Sequence, residues 1–333
     1  MNNSTIISTV IVDTLNSTSA PKIDEQFTIL ESLFYLTCGM VGTIFNSMVI
    51  WIAMRYIDTE DKPRQIIVIN MTMADLLMCV FYMMTRPWVS SFPNFFCHPY
   101  YMTIWTCQLV SCLNLVWLNV DKLVYIQFPL HYYSIVSRVR MLRISTATWL
   151  AMFAITVALA LTMSANDGCI RLQLNPYLYL SIPLLYVVMI VTSFTLSAII
   201  YCIAQTSTKL ESRARSKLFH RLFFLFSSTL WTFFTCLPYR FLYLMGFFCM
   251  TCVADSRFRW VTDQFFRLLV VGIVINPLIT IWTQRVYRVR VLRLFGKMQK
   301  KASESDMLTS VRRLSEKPFE ETVPLNTTNR VNI

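Results

Sequence analysis

Seven apolar stretches, each long enough to cross a lipid bilayer as a helix, constrain this chain more than any other feature. They fall at about 30–54, 65–86, 97–120, 143–165, 176–205, 219–246 and 264–283. About twenty residues at 1.5 Å rise each suffice to span a hydrocarbon layer some 30 Å thick. The third stretch is the clearest. From Phe95 to Val120 no side chain is formally charged, and Asp121 and Lys122 follow where a helix would leave the lipid. A charge at the bilayer centre costs several kcal/mol, so charge gathers at such exits. The seventh stretch is interrupted at one end by Asp263 and Arg267, yet runs uncharged from Leu268 to Trp282.

Composition agrees. Of 333 residues, 55% are hydrophobic and 14% charged, against about a quarter charged in soluble domains. Only 6 glycines occur, which argues against a Gly-rich nucleotide cradle. The net charge of +12 would suggest a nucleic-acid partner in a soluble protein. Here it has a plainer source, the sidedness of the membrane, and no nucleic acid is expected. With the N-terminus outside, the inner loops and tail hold 23 of the 30 Lys and Arg and the outer segments hold 5. Basic residues collect on the cytoplasmic side, so the expected orientation is N-terminus extracellular and C-terminus cytoplasmic, in the plasma membrane. The basic inner face suits anionic membrane lipids or an acidic partner.

The expected organisation is an extracellular tail over 1–29, a seven-helix bundle over 30–284, a membrane-surface helix over 285–297 and a disordered cytoplasmic tail over 298–333. No removable signal is read at the N-terminus, because Ile6 to Val12 is short and lacks a preceding basic region. Asn2, Asn3 and Asn16 open glycosylation triplets; Asn70-Met71-Thr72, inside an apolar run, shows how that pattern misfires. Arg285, Arg288, Arg290 and Arg293 alternate with Val286, Val289, Leu292 and Phe295. At helical spacing this gives one apolar and one basic side, as in a helix lying on a leaflet; continuation of the seventh helix into water is the alternative. Arg312-Arg313-Leu314-Ser315 fits a basophilic kinase site at Ser315.

Several residues, taken in order, resemble the rhodopsin-like G-protein-coupled receptors. Asn46 follows Gly42 in span one, and Asp75 lies in Asn70-Met71-Thr72-Met73-Ala74-Asp75-Leu76-Leu77. Asp121-Lys122-Leu123 stands where the family has Asp-Arg-Tyr. Trp149 is the lone tryptophan of span four, and Tyr201 lies near the inner end of span five. Pro238 falls in span six, and Asn276-Pro277 opens the family's Asn-Pro-x-x-Tyr pattern. The resemblance covers roughly 30–297. It implies an all-α membrane protein, a seven-transmembrane-helix bundle with a short amphipathic eighth helix. It implies a receptor that passes an extracellular signal to a heterotrimeric G protein and is not an enzyme.

The resemblance also assigns roles. Asp75, Asn46 and Asn276 would form a water-linked polar cluster, often with a sodium ion; a hydrogen-bond knot without an ion is the alternative. Asp121, Lys122, Tyr201, Cys236, Pro238, Asn276 and Pro277 would form the activation switch, the prolines bending helices six and seven by removing backbone hydrogen bonds. The resemblance implies a disulfide between Cys97 and Cys169, both on the oxidising side; free thiols are the alternative. Cys249 and Cys252 share one outer loop and are either bridged or free. Departures from the family pattern are Lys122 for arginine, Cys236 where a tryptophan is usual and Thr280 where the last tyrosine would stand. Lysine lacks the planar fork of donors, so either a looser Asp121–Lys122 restraint or a weaker G-protein contact follows.

The ligand is expected to be a peptide, with a chemosensory or lipid ligand as the alternative. Ile104 and Gln108 occupy the levels where aminergic members hold an aspartate, so a monoamine does not fit; span seven has no lysine for a retinal Schiff base. Arg86, Arg240 and Arg267 make the outer half basic. Intramembrane arginines rarely face lipid, so Arg240 and Arg267 are expected to face one water-filled cavity with Arg86 near its rim, pairing with a ligand carboxylate or carbonyls. Asp263, one turn from Arg267, would partly neutralise it. Trp105 and Tyr243, with Trp88, Tyr100, Tyr101, Tyr239 and Phe266, would receive a peptide's side chains. A transporter is the rival class, disfavoured because no paired halves with matching broken segments occur. The three histidines, His98, His131 and His220, are dispersed and give no metal-ligand spacing.

Overall fold

The computed structural model describes residues 28–294 and 296, apart from 61, 163, 166–168, 170, 171, 174, 175 and 207–211. Asn2, Asn3, Asn16 and Ser315 lie outside the described residues. The seven stretches are seven long helices: α1 Ile29–Tyr56, α2 Gln65–Met78, α3 Asn94–Gln127, α4 Arg138–Ala160, α5 Pro176–Thr206, α6 Ser212–Phe248 and α7 Ser256–Thr283. Among the described residues six of them are long and apolar enough to cross a membrane. Large apolar side chains such as Ile44, Leu150, Phe153, Leu184 and Phe234 stand exposed on the bundle. In water these would be costly, whereas a helix bundle in lipid presents such a surface outward.

Local sequence sets the ends. Thr28 caps α1 in a capping box with Glu31, satisfying two of the amides left over at a helix start. Ser137 caps α4 by accepting from the Arg140 amide. Against the expected limits, α3, α4, α6 and α7 begin three to eight residues early and α3 ends seven residues late, whereas α2 and α4 stop short of 86 and 165, at Met78 and Ala160. α7 begins eight residues before position 264, because Asp263 and Arg267 are tolerated at a helix end where the sequence reading set its limit. α2 passes into a single π-helical segment, Cys79–Met83, and then a 3-10 helix, Arg86–Ser91, with Pro87 near its start. One departure from the all-helical expectation is a two-residue hairpin, β1 Ser164–Ala165 and β2 Leu172–Gln173, pairing Ser164 with Gln173.

Small and polar side chains rivet the helices together. Gly39 and Gly42 in α1 sit against Cys79 and Met84 at the π segment, the close approach that small residues permit between membrane helices. Trp149 Nε1 in α4 donates to Asn70 Oδ1 in α2 at 2.5 Å, and Asn70 Nδ2 donates to Asn114 Oδ1 in α3 at 2.9 Å. Thr106 and Thr156 join α3 to α4 at 2.6 Å. Trp231 Nε1 in α6 donates to the Gly272 carbonyl in α7 at 3.2 Å. The Cys97–Cys169 disulfide is formed, tying the start of α3 to the α4–α5 connection, and Cys249 and Cys252 are bridged to each other.

Apolar packing gathers in two clusters. One surrounds Cys97, Tyr100, Trp105, Leu109 and Tyr186 near the Cys97–Cys169 end; the other surrounds Val68, Leu118, Tyr132 and Ile200 at the opposite end. The described residues from Thr280 on belong to a second unit. Within it a helix, α8, covers 285–294.

Candidate functional site

A cavity of about 40 Å³ lies inside the bundle, lined among others by Asp75, Gln108, Ser111, Tyr186, Arg240 and Asn276. At about 10–15 Å³ per water it has room for roughly three. At its deeper level, Asp75 Oδ1 accepts from Ser111 Oγ at 2.7 Å and Oδ2 accepts from Asn276 Nδ2 at 3.2 Å. Asp75 and Asn276 thus meet as the sequence pattern suggested. Asn46 does not touch Asp75: its Nδ2 donates to the Gly42 carbonyl at 2.9 Å and approaches Cys79 Sγ at 3.8 Å. The short side chain is drawn back onto its own helix, and Ser111 of α3 takes the place expected for it.

Toward the disulfide end the same cavity reaches Arg240, one turn along α6 from Cys236. The Arg240 guanidinium donates to Gln108 Oε1 and lies over the Tyr186 ring, 3.9 Å from its centroid. Tyr239 is 5.3 Å away on the other side. Tyr186 in turn donates to the Trp105 carbonyl at 3.2 Å. Among the described residues no carboxylate lies within ion-pair distance of Arg240. This is a half-buried cation held by a neutral amide and aromatic faces, an arrangement that stabilises the charge while leaving its demand for an anion open.

Arg267 is not on this cavity. Its guanidinium pairs with Glu31 Oε1 at 2.8 Å, while Glu31 Oε2 stays with the Thr28 cap. Glu31 of α1 makes the ion pair, and Asp263, one turn along α7, adds a longer-range attraction to the same guanidinium. Arg86 is enclosed by tyrosines: it lies 5.5 Å from the Tyr82 ring centroid, with Tyr100, Tyr101 and Tyr35 also near its charge. Ile104 and Trp105 are buried in the apolar cluster. Tyr243 and Asp263 line a second, larger pocket of about 380 Å³ between α6 and α7.

An aromatic row connects these parts. Tyr35 packs edge to face on Tyr82 and Tyr82 lies tilted against Tyr100, Tyr82 meets Phe266 at 6.4 Å, and Phe266 meets Tyr239 at 5.0 Å. Trp88 is exposed. Tyr35, Tyr82 and Tyr186 were not singled out in the sequence, where an isolated tyrosine in an apolar span gives no sign of the face it occupies.

At the other end of α3, Asp121 and Lys122 are buried. Tyr132, from a one-turn helix Tyr132–Ile135, donates to Asp121 Oδ1 at 2.8 Å. Arg64 Nε lies 3.7 Å and Lys122 Nζ 3.9 Å from Asp121 Oδ2, with Lys122 also 5.0 Å from the Tyr125 ring centroid. Burial first, and the Asp121 charge second, raise the Tyr132 phenol above its ordinary range, so it remains a donor at neutral pH. One turn back, Asn119 Nδ2 donates to Ser193 Oγ in α5 at 2.7 Å and to Thr229 Oγ1 in α6 at 3.4 Å. Tyr201 packs on Phe226 across the same helices, 5.6 Å between centroids. Cys236 sits on the cavity wall two residues before Pro238.

Residues 45–279 match the seven-transmembrane receptor (rhodopsin family) profile. The chain is also 61% identical over 300 residues to the G-protein coupled receptor aex-2 of Caenorhabditis elegans, covering 90% of this chain and 94% of that one. With seven packed helices, a polar core on Asp75 and Asn276, and a disulfide from the start of α3, the chain belongs to the rhodopsin family of seven-transmembrane receptors.

Proposed function

We propose that this chain is a plasma-membrane receptor, N-terminus outside, that binds an extracellular peptide and activates a heterotrimeric G protein from its basic inner face. The observation that carries the ligand reading is Arg240, a cation lining an intrabundle cavity with Gln108 and Tyr186 as partners and no acid beside it. A ligand carboxylate, from an acidic side chain or a free C-terminus, would displace the Gln108 amide and gain a charge-assisted bond. Tyr239, Phe266 and Tyr82 offer aromatic faces for the neighbouring side chains.

The reading differs from the sequence expectation in one respect. Arg240 alone supplies the cavity's positive charge, because Arg267 is engaged by Glu31. Asp75, Ser111 and the adjoining cavity fit a sodium ion by their chemistry, a carboxylate and a hydroxyl oxygen within 2.7 Å of each other. An ion there would counter the Asp75 charge, and a ligand that favours one arrangement of the cavity shifts the receptor only by its differential affinity for the two states.

The test is a pooled-peptide screen with a second-messenger readout, followed by assay of the active peptide on Arg240→Ala and Arg240→Lys at matched surface expression. Losing one member of a desolvated charge pair costs about 2–5 kcal/mol, so Arg240→Ala is expected to weaken potency at least 30-fold or so, with Arg240→Lys between it and the parent. Equal potency on all three overturns the assignment.

A further inference from the structure

We propose a second binding site, distinct from the Arg240 cavity, that takes a primary ammonium carried on an apolar or aromatic body. It is the pocket of about 380 Å³ between the last two turns of α6 and the first two of α7, walled by Tyr243, Phe247, Val253, Phe258, Arg259 and Asp263. The inference stands independently of the Arg240 reading, since the two sites share no lining residue and prefer opposite charges.

Three observations build it. The first is the fate of Asp263. The charged groups around it are Arg267, Glu31 and Arg259. Arg267, its natural partner one turn along the helix, is held by Glu31 at 2.8 Å. Among the described residues no cation lies within ion-pair distance of the Asp263 carboxylate. The second is the wall. Tyr243, Phe247 and Phe258 line the same pocket as that carboxylate, and a cation near aromatic rings with an acid at hand is a favourable ammonium environment. The third is the frame. The Cys249–Cys252 bridge closes the turn that leads into the short helix Met250–Ala254, which carries Val253. Gly246 lets α6 pass this turn closely: a β-carbon there would stand 3.2 Å from Val253 Cγ2 and 3.6 Å from the Phe258 ring. The pocket is thus walled from two helices and a cross-linked turn.

The volume suits one aromatic ring with a short aminoalkyl arm, whether a free amine or a lysine side chain of a peptide. Arg259 on the same wall opposes the ammonium and sets a check on the charge argument.

The experiment uses the full chain purified in detergent, titrated by ligand-observed NMR with phenethylammonium, its neutral isostere phenethyl alcohol and its anionic isostere hydrocinnamate. The ammonium is expected to bind at least ten-fold tighter than the alcohol; hydrocinnamate, titrated on the Arg240→Ala chain so that the Arg240 cavity does not take it, is expected to bind weaker than both. Asp263→Asn, which keeps the side chain's shape at an exposed position, is expected to erase that ten-fold preference. Arg259→Gln is expected to strengthen ammonium binding several-fold, and Arg240→Ala to leave it unchanged. An ammonium and alcohol of equal affinity, a preference that survives Asp263→Asn, or one that vanishes in Arg240→Ala overturns the site. Acetyl-Phe-Lys-amide, run beside phenethylammonium, assigns the source: binding tighter than the free amine points to a peptide lysine, weaker to a small amine.

Discussion

Two acidic residues show how a partner decides what a side chain does. Glu31 divides its oxygens between the α1 cap and Arg267, and by doing so leaves Asp263 outside the ion pair on its own helix. Asp121 is held by Tyr132 and Arg64 together with Lys122. With a lysine in place of the family's arginine, the tyrosine bond at 2.8 Å is the shortest of these restraints. A hydrogen bond to a charged group contributes about 1.5–3 kcal/mol. Tyr132→Phe is therefore expected to raise ligand-independent nucleotide exchange up to about ten-fold, the limit being the part of that bond lost on activation. Guanine-nucleotide exchange in membranes at matched expression measures it, and an unchanged basal rate would show that the bond persists in both states. Asp75 and Asn276 were legible in the sequence because an acid or amide amid apolar residues demands a partner. Ser111 and Glu31 were not, since a serine in a membrane helix satisfies itself on its own backbone and a glutamate at a helix start looks like a cap.

The helices were the most legible level, because hydrophobic length alone specifies them; their ends were less so. Turns of α7 before position 264 and of α4 before 143 carry charge that the bundle's ends tolerate. What hydropathy does not encode is the close packing of α1 on α2. A β-carbon at Gly39 would stand 2.6 Å from Met84 Cγ and, behind it, 3.1 Å from the Met84 amide nitrogen and 3.2 Å from the Cys79 carbonyl. Backbone yields less readily than a flexible side chain. Gly39→Ala is expected to destabilise the bundle by about 1–3 kcal/mol, the usual range for overpacking, read as a lower apparent Tm in detergent. A second element-level prediction concerns the α3–α5–α6 junction. Asn119 joins Ser193 and Thr229 at a buried point, and any outward swing of α6 must break the Thr229 bond. Thr229→Val, of similar shape, removes the bond from one arrangement only. It is expected to raise basal exchange by about two- to three-fold, in line with about 0.6 kcal/mol for an interhelical hydrogen bond in a membrane.

For the whole molecule, the basic residues and the disulfides argue for the same sidedness. Cys97–Cys169 and Cys249–Cys252 lie at one end of the bundle, with α3, α5 and α7 starting there and α4 and α6 finishing there. Disulfides persist where the compartment is oxidising. The loops at the opposite end, together with the tail, hold most of the Lys and Arg, which marks the cytoplasmic side. On the orientation proposed above, the Arg240 cavity and the Asp263 pocket would open toward the exterior and the Asp121 cluster toward the cytoplasm. An epitope before residue 28 is expected to be labelled on intact cells, and one after residue 296 only after permeabilisation. Labelling of both epitopes on intact cells, or of neither, would mean an even number of crossings, and the ligand sites and the G-protein face could not lie on opposite sides of the membrane.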